Sequence, residues 1–170
     1  MSMAVVAQTA ADAPLNVEKS AIFGYFSYET VLQSMPDLAT VREKMNRLRS
    51  QYDAEMKRAE DEFNRKYEDF LEGQRSFEPS IYKKRQAELT DLMQRNMAFK
   101  EKARELLAKA EAEAMKPLKE RLSAAVESVG RQNGYAFILN ADNNALPYVD
   151  AFVGQNVTAA IIAELEKKKP

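Results

Sequence analysis

The chain contains no cysteine and no histidine. Without thiolate or imidazole there can be no disulfide, no Cys/His metal site, and neither Ser-His-Asp nor Cys-His catalysis, so most enzyme classes are excluded for want of the atoms. No run approaches the ~20 consecutive apolar residues that a membrane-spanning helix needs. A charge surplus is missing too: 25 Lys and Arg stand against 26 Asp and Glu, net −1, which gives no global drive toward nucleic acid or membrane. The balance is uneven along the chain, because residues 42–121 carry 20 basic and 17 acidic residues and leave the flanks acidic.

What is present is helical spacing from about residue 29 to 132, broken once near residues 73–80. Leu38, Val41, Met45, Leu48, Tyr52, Met56, Ala59, Phe63, Tyr67 and Phe70 recur at steps of three and four, one stripe along one helix. Gly73, Ser76, Pro79 and Ser80 cluster where the stripe fails, so the chain reverses with its tip near residues 74–80. The return helix shows Leu89, Leu92, Asn96, Phe99, Ala103, Leu106 and Ala110 at heptad spacing. It then slips to Ala114, Leu118, Leu122, Ala125 and Val129. Pro117 lies in the slip, where a missing backbone donor favours a hinge or kink. Each arm helix is expected to run 45 to 50 residues, about 65 to 75 Å, with helix content near two thirds.

The ends of the chain differ from the middle. Residues 21–27, AIFGYFS, predict one strand, and Pro36 predicts a break before the main helix restarts near Asp37. Gly130 and Gly134 end the return helix, AFILN (136–140) is a strand, ADNN (141–144) a turn of the αL-tolerant type, and Leu146 to Val149 a second strand. Residues 157–168 close as an amphipathic helix capped by Asn156 or Thr158. The fold class is therefore α+β, mostly α: a long antiparallel helical hairpin (37–129) projecting from a small β-containing body (20–36 and 130–168). Residues 1–19 are small and apolar, with Val5-Val6-Ala7 before Gln8 resembling a cleavage end. They are expected to be a disordered segment or a signal remnant.

Candidate binding residues divide between seam and surplus. Met45, Tyr52, Phe63, Phe70 and Phe99 suffice to build the hairpin seam. Met93, Met97 and Leu107 lie one position off the heptad and Phe77 and Tyr82 lie at the tip, which makes these five the candidates for contact with an apolar partner. Asn96 at a core position fixes register. Lys83, Lys84 and Arg85 form a solvated basic face, and the acidic pairs around Glu60 to Glu62 and Glu68 to Asp69 match surface ion pairs rather than a catalytic pair. No catalytic residue, metal or cofactor is expected.

Three strings, FGYFSYETVLQSMPD (23–37), KPLKERLSAAVESVGRQNGYAFILNADN (116–143) and LPYVDAFVGQNVTAAIIAELEK (146–167), joined by a charged hairpin, resemble the Skp/OmpH family of periplasmic chaperones. The resemblance covers nearly all of residues 20–168. It implies a homotrimer whose strands build a common body, with helical arms enclosing a cavity that holds unfolded outer-membrane proteins in the periplasm without nucleotide. Phe77, Tyr82, Met93, Met97 and Leu107 would then be client-binding, and Ile22, Phe26, Phe137, Ile138 and Leu139 would form the oligomerisation body. The better-known members of that family are strongly basic, whereas this chain is close to neutral, with pI ≈ 5.7. Contact with lipopolysaccharide or anionic membrane is accordingly not carried over to the basic tip. The alternatives are a coiled-coil scaffold or membrane-shaping protein, and a prefoldin-like cytosolic cage.

Overall fold

The computed structural model describes residues 23–167. The segment 1–19 and Ile22 lie outside the described residues.

Strand β1, Phe23–Phe26, passes into helix α1, Tyr28–Ser34, through Ser27, whose hydroxyl accepts the Thr30 N–H at 3.1 Å. Pro36 cannot continue α1, and its fixed φ instead starts α2, Pro36–Gly73. The break and restart in QSMPD are as the sequence predicts. Residues 74–78 turn the chain, and Pro79 opens α3, Pro79–Asn133, behind Glu78, whose carboxylate accepts the Ser80 N–H at 2.9 Å. The helices are 7, 38, 55 and 10 residues long and together make up 110 of the 145 described residues.

Helices α2 and α3 run antiparallel, since their partners descend on one as they climb on the other. Arg121 pairs with Asp37, Phe99 packs on Tyr52, Asn96 bonds to Ala59 and Tyr82 packs on Phe70. The expected equal arms are corrected. Helix α3 is the longer by 17 residues because it continues past the start of α2 and enters the body. It runs unbroken through Pro117 and through Gly130. Only Gly134, at φ 65°, ends it, in the left-handed conformation that glycine adopts without a Cβ penalty.

The body is a three-stranded parallel sheet in the order β2-β1-β3, with β2 at Ile138–Asn140 and β3 at Gly154–Asn156. Gly24 lies opposite Ile138 on one side and Gln155 on the other. Two expectations are corrected here. Leu146 to Val149 is not a strand, and the ADNN turn does not close a hairpin. Asn143 and Asn144 do take positive φ (56° and 58°), but within a short 3-10 turn that carries the chain onward instead of folding it back. Helix α4, Thr158–Lys167, follows β3, with Asn156 Oδ1 accepting the Thr158 N–H at 3.0 Å.

The core lies on one face of this sheet. Phe26, Val31, Met35, Leu38, Leu118, Leu122, Ala125, Val129, Val157, Ile161 and Leu165 form a single buried cluster, so the last four turns of α3 brace the body while the rest of α3 leaves it. Gly24 faces this core, where a Cβ would come within 3.1 Å of Val157.

Candidate functional site

Two surfaces carry more apolar area than the single chain covers. The first is along the arm. Its seam is thin: Met45, Leu92 and Ala103 are the buried apolar residues of the α2–α3 contact beyond the body core. Seam positions on α3 run 92, 96, 99, 103, 107, 110, 114 and 118, all at least half-buried. Leu107 therefore takes the seam place expected of Leu106, which is 38% exposed. A straight helix drifts from a strict heptad, and the register shifts one turn earlier than the spacing predicts.

Between the seam and solvent, midway along the arm, a groove of about 350 Å³ is lined by Met56, Ala59, Phe63, Met93, Met97 and Phe99, with Glu60, Asn64, Asn96 and Lys100 on its rim and floor. Met93 is 48% and Met97 66% exposed. These two side chains stand one helical turn apart, so they form one wall. The structure brings them together with Met56 and Phe63, which the sequence analysis does not place among the candidate five. Phe77 and Tyr82 are elsewhere and are otherwise engaged: both pack against Phe70, with ring centroids 6.2 and 5.2 Å away. They close the tip instead of projecting from it. The neighbouring Lys83 and Lys84 are exposed, and Arg85 reaches Glu88 at 3.4 Å.

The second surface is the outer face of the sheet. Strand alternation sends Phe26 and Ile138, two of the residues assigned to the oligomerisation body, into this chain's own core, and sends Phe23, Tyr25 and Leu139 the other way. Phe137 stacks on Phe23 at 5.4 Å and is still half exposed. The loop before β3 adds Tyr148, 80% exposed, and Phe152, 66% exposed. Tyr148 is concealed in the sequence because LPYV reads as strand, where alternate residues would be covered, and Phe152 follows it with no periodic signal of its own. Parallel sheets are normally covered on both faces; here α1, α3 and α4 cover one face, while on the other, among the described residues, Val149 packs beside Gly154 and Phe137 and Leu139 stay exposed.

Electrostatics at both ends serve the backbone. Asp142 accepts the Glu29 N–H at 2.9 Å, and this bond, helped by the Ser27 hydroxyl, holds its carboxyl below the ordinary value. Glu78 is lowered in the same way by the Ser80 hydroxyl and N–H. Among the described residues no group of three acidic, histidine or cysteine side chains could hold a metal ion, and no helix is long and apolar enough to cross a membrane.

The family model described as outer membrane protein (OmpH-like) matches residues 22–165. The chain belongs to the OmpH-like family. A crystal structure from Caulobacter crescentus CB15, described provisionally as that of an outer membrane chaperone (OmpH-like), superposes on this OmpH-like chain with a TM-score of 0.69. The match covers 88% of this chain and 86% of that one at 13% identity, which establishes a shared fold. No curated protein matches.

Proposed function

We propose that this OmpH-like protein is an ATP-independent holdase of the periplasm that keeps unfolded outer-membrane proteins from aggregating. The observation that carries this reading is the wall formed by Met93 and Met97 on a groove already lined by Met56, Phe63 and Phe99. Methionine and aromatic side chains adapt to many apolar sequences, which suits a protein that must accept varied unfolded chains weakly and release them without an energy source. The family membership and the chaperone description of the Caulobacter protein support the same class over an enzyme.

The exposed apolar side chains on the outer sheet face support self-association. Three strands of three or four residues are too few to be stable alone. Phe137, Leu139 and Tyr148 supply the apolar surface for a homotrimer whose arms surround a shared cavity. Pro117, one residue before the first core leucine of α3, is the pivot assigned to each arm. It has no N–H for the carbonyl four residues back.

The test is suppression of aggregation of a denatured β-barrel outer-membrane protein diluted from urea, read by light scattering beside the native mass. A single mass of three chains and suppression without ATP are expected. Suppression equal to that of an inert protein would refute the holdase reading.

A further inference from the structure

The same groove carries the most exposed thioethers among the described residues, and the inference drawn from them deepens the holdase reading and rests on it for its functional consequence. The chain has no cysteine, so methionine thioethers are its only sulfur. Six methionines fall among the described residues, and they are sharply graded in access. Met35 and Met45 are 3% and 6% exposed, Met56 and Met115 are half-buried, and Met93 and Met97 are open. Both open thioethers therefore lie on one wall of one groove, in the middle of the arm, away from the residues that hold the fold together. The seam is carried along its length by Met45, Leu92 and Ala103, and the tip by Phe70, Phe77 and Tyr82.

We propose that Met93 and Met97 are an oxidation site at which a peroxide converts the groove from an apolar to a polar wall and releases its client. The sulfur lone pair attacks one peroxide oxygen, the S–O bond forms as the O–O bond breaks, sulfur loses two electrons, and hydrogen peroxide leaves as water. The product sulfoxide is polar and chiral, and it can be reduced back by methionine sulfoxide reductases, so the change is reversible. Because the oxidised atoms are outside the seam, the arm should keep its helices while its groove loses affinity for apolar side chains. Protection of Met45 within the seam separates this outcome from oxidative unfolding.

The experiment treats the full chain with graded hydrogen peroxide and maps sulfoxides by peptide mass spectrometry, with circular dichroism and aggregation suppression on the same samples. Sulfoxide is expected at Met93 and Met97 several-fold faster than at Met35 and Met45, with helicity retained and suppression reduced. A Met93→Leu/Met97→Leu variant should hold client before and after peroxide, and Met93→Gln/Met97→Gln should behave as the oxidised parent without any peroxide. Equal oxidation rates at all six positions overturn the site. Undiminished suppression by fully oxidised parent overturns the switch. A reduced parent that never suppresses aggregation instead overturns the holdase reading, and the oxidation map still decides, on its own, whether the site is modified.

Discussion

Asn96 donates from Nδ2 to the carbonyl oxygen of Ala59 at 3.0 Å, a bond between side chain and backbone that crosses the arm at the base of the methionine groove. A polar residue at a seam position costs packing energy, but only one alignment of the two helices satisfies it. The bond therefore fixes which α3 residues face the groove and which face α2.

Replacing Asn96 by leucine should leave the arm as stable as before or more so, since the net worth of the lost bond, about 1 kcal/mol, is offset by apolar packing. The cost should appear as lost register. Spin labels at the exposed positions Asp61 and Gln94, clean to install in a chain without cysteine, should show one narrow distance in the parent and a broadened one in Asn96→Leu. An unchanged distribution would remove the register role from Asn96.

Gly154 is the tightest point in the sheet. A Cβ there would lie 2.3 Å from a Val149 methyl and 2.7 Å from the Phe23 ring, with both neighbours packed. Gly154→Ala should destabilise the body by roughly 1–3 kcal/mol through overpacking. Gly73→Ala offers the contrast, because its only close neighbour is the far end of the Phe77 ring, 2.4 Å away, which can swing out. The helix gains about 1 kcal/mol of propensity as the tip cluster loosens, so near-neutral global stability with faster hydrogen exchange at residues 74–82 is expected.

Ile161 is fully buried against the sheet face that holds Phe26 and against the inner end of α3. Ile161→Ala should cost about 2–5 kcal/mol, measured as a shift in denaturation midpoint. Loss of the body before loss of arm helicity would place the effect where the packing does.

Acid should weaken the junction of β1 and α1. Asp142 has its carboxyl lowered in the folded chain from an ordinary value of 3.8, first by the Glu29 N–H. The stabilisation is therefore fully present above that ordinary value and is lost as the pH falls through the lowered one. Asp142→Asn should flatten the dependence of the urea midpoint between about pH 5 and about pH 2, where acidic residues titrate. An equally steep profile in the variant would assign the acid sensitivity to other carboxylates, Glu78 included.

The arm was legible in the sequence because its signals are local. The three-and-four spacing, the proline at the start of each long helix and the glycine-serine tip each act within a turn or two of the residue that carries them. The body was legible only in part. LPYV has strand composition and lies in a loop, whereas Gly154-Gln155-Asn156 has almost no strand propensity and is a strand. β1 supplies its hydrogen bonds, and a glycine is what the Phe23 ring leaves room for. Tyr148 was hidden by the same misreading. At the candidate groove, Met93 and Met97 stood out by being off the stripe. Met56 and Phe63 did not, since a seam residue that also borders a groove has the spacing of any other seam residue.

The central strand of the sheet is made first and its two neighbours last. Phe23–Phe26 must wait for Ile138–Asn140 and Gly154–Asn156, more than a hundred residues downstream, while every contact in the outer arm closes over a few dozen residues or fewer. Short loops close sooner and at lower entropic cost. During synthesis the hairpin can therefore zip from its tip while β1 is still a solitary ribbon, and a chain cut short before Ile161 has an arm without a base. Synthesis of residues 154–165 is thus the event that gives the helical hairpin its base.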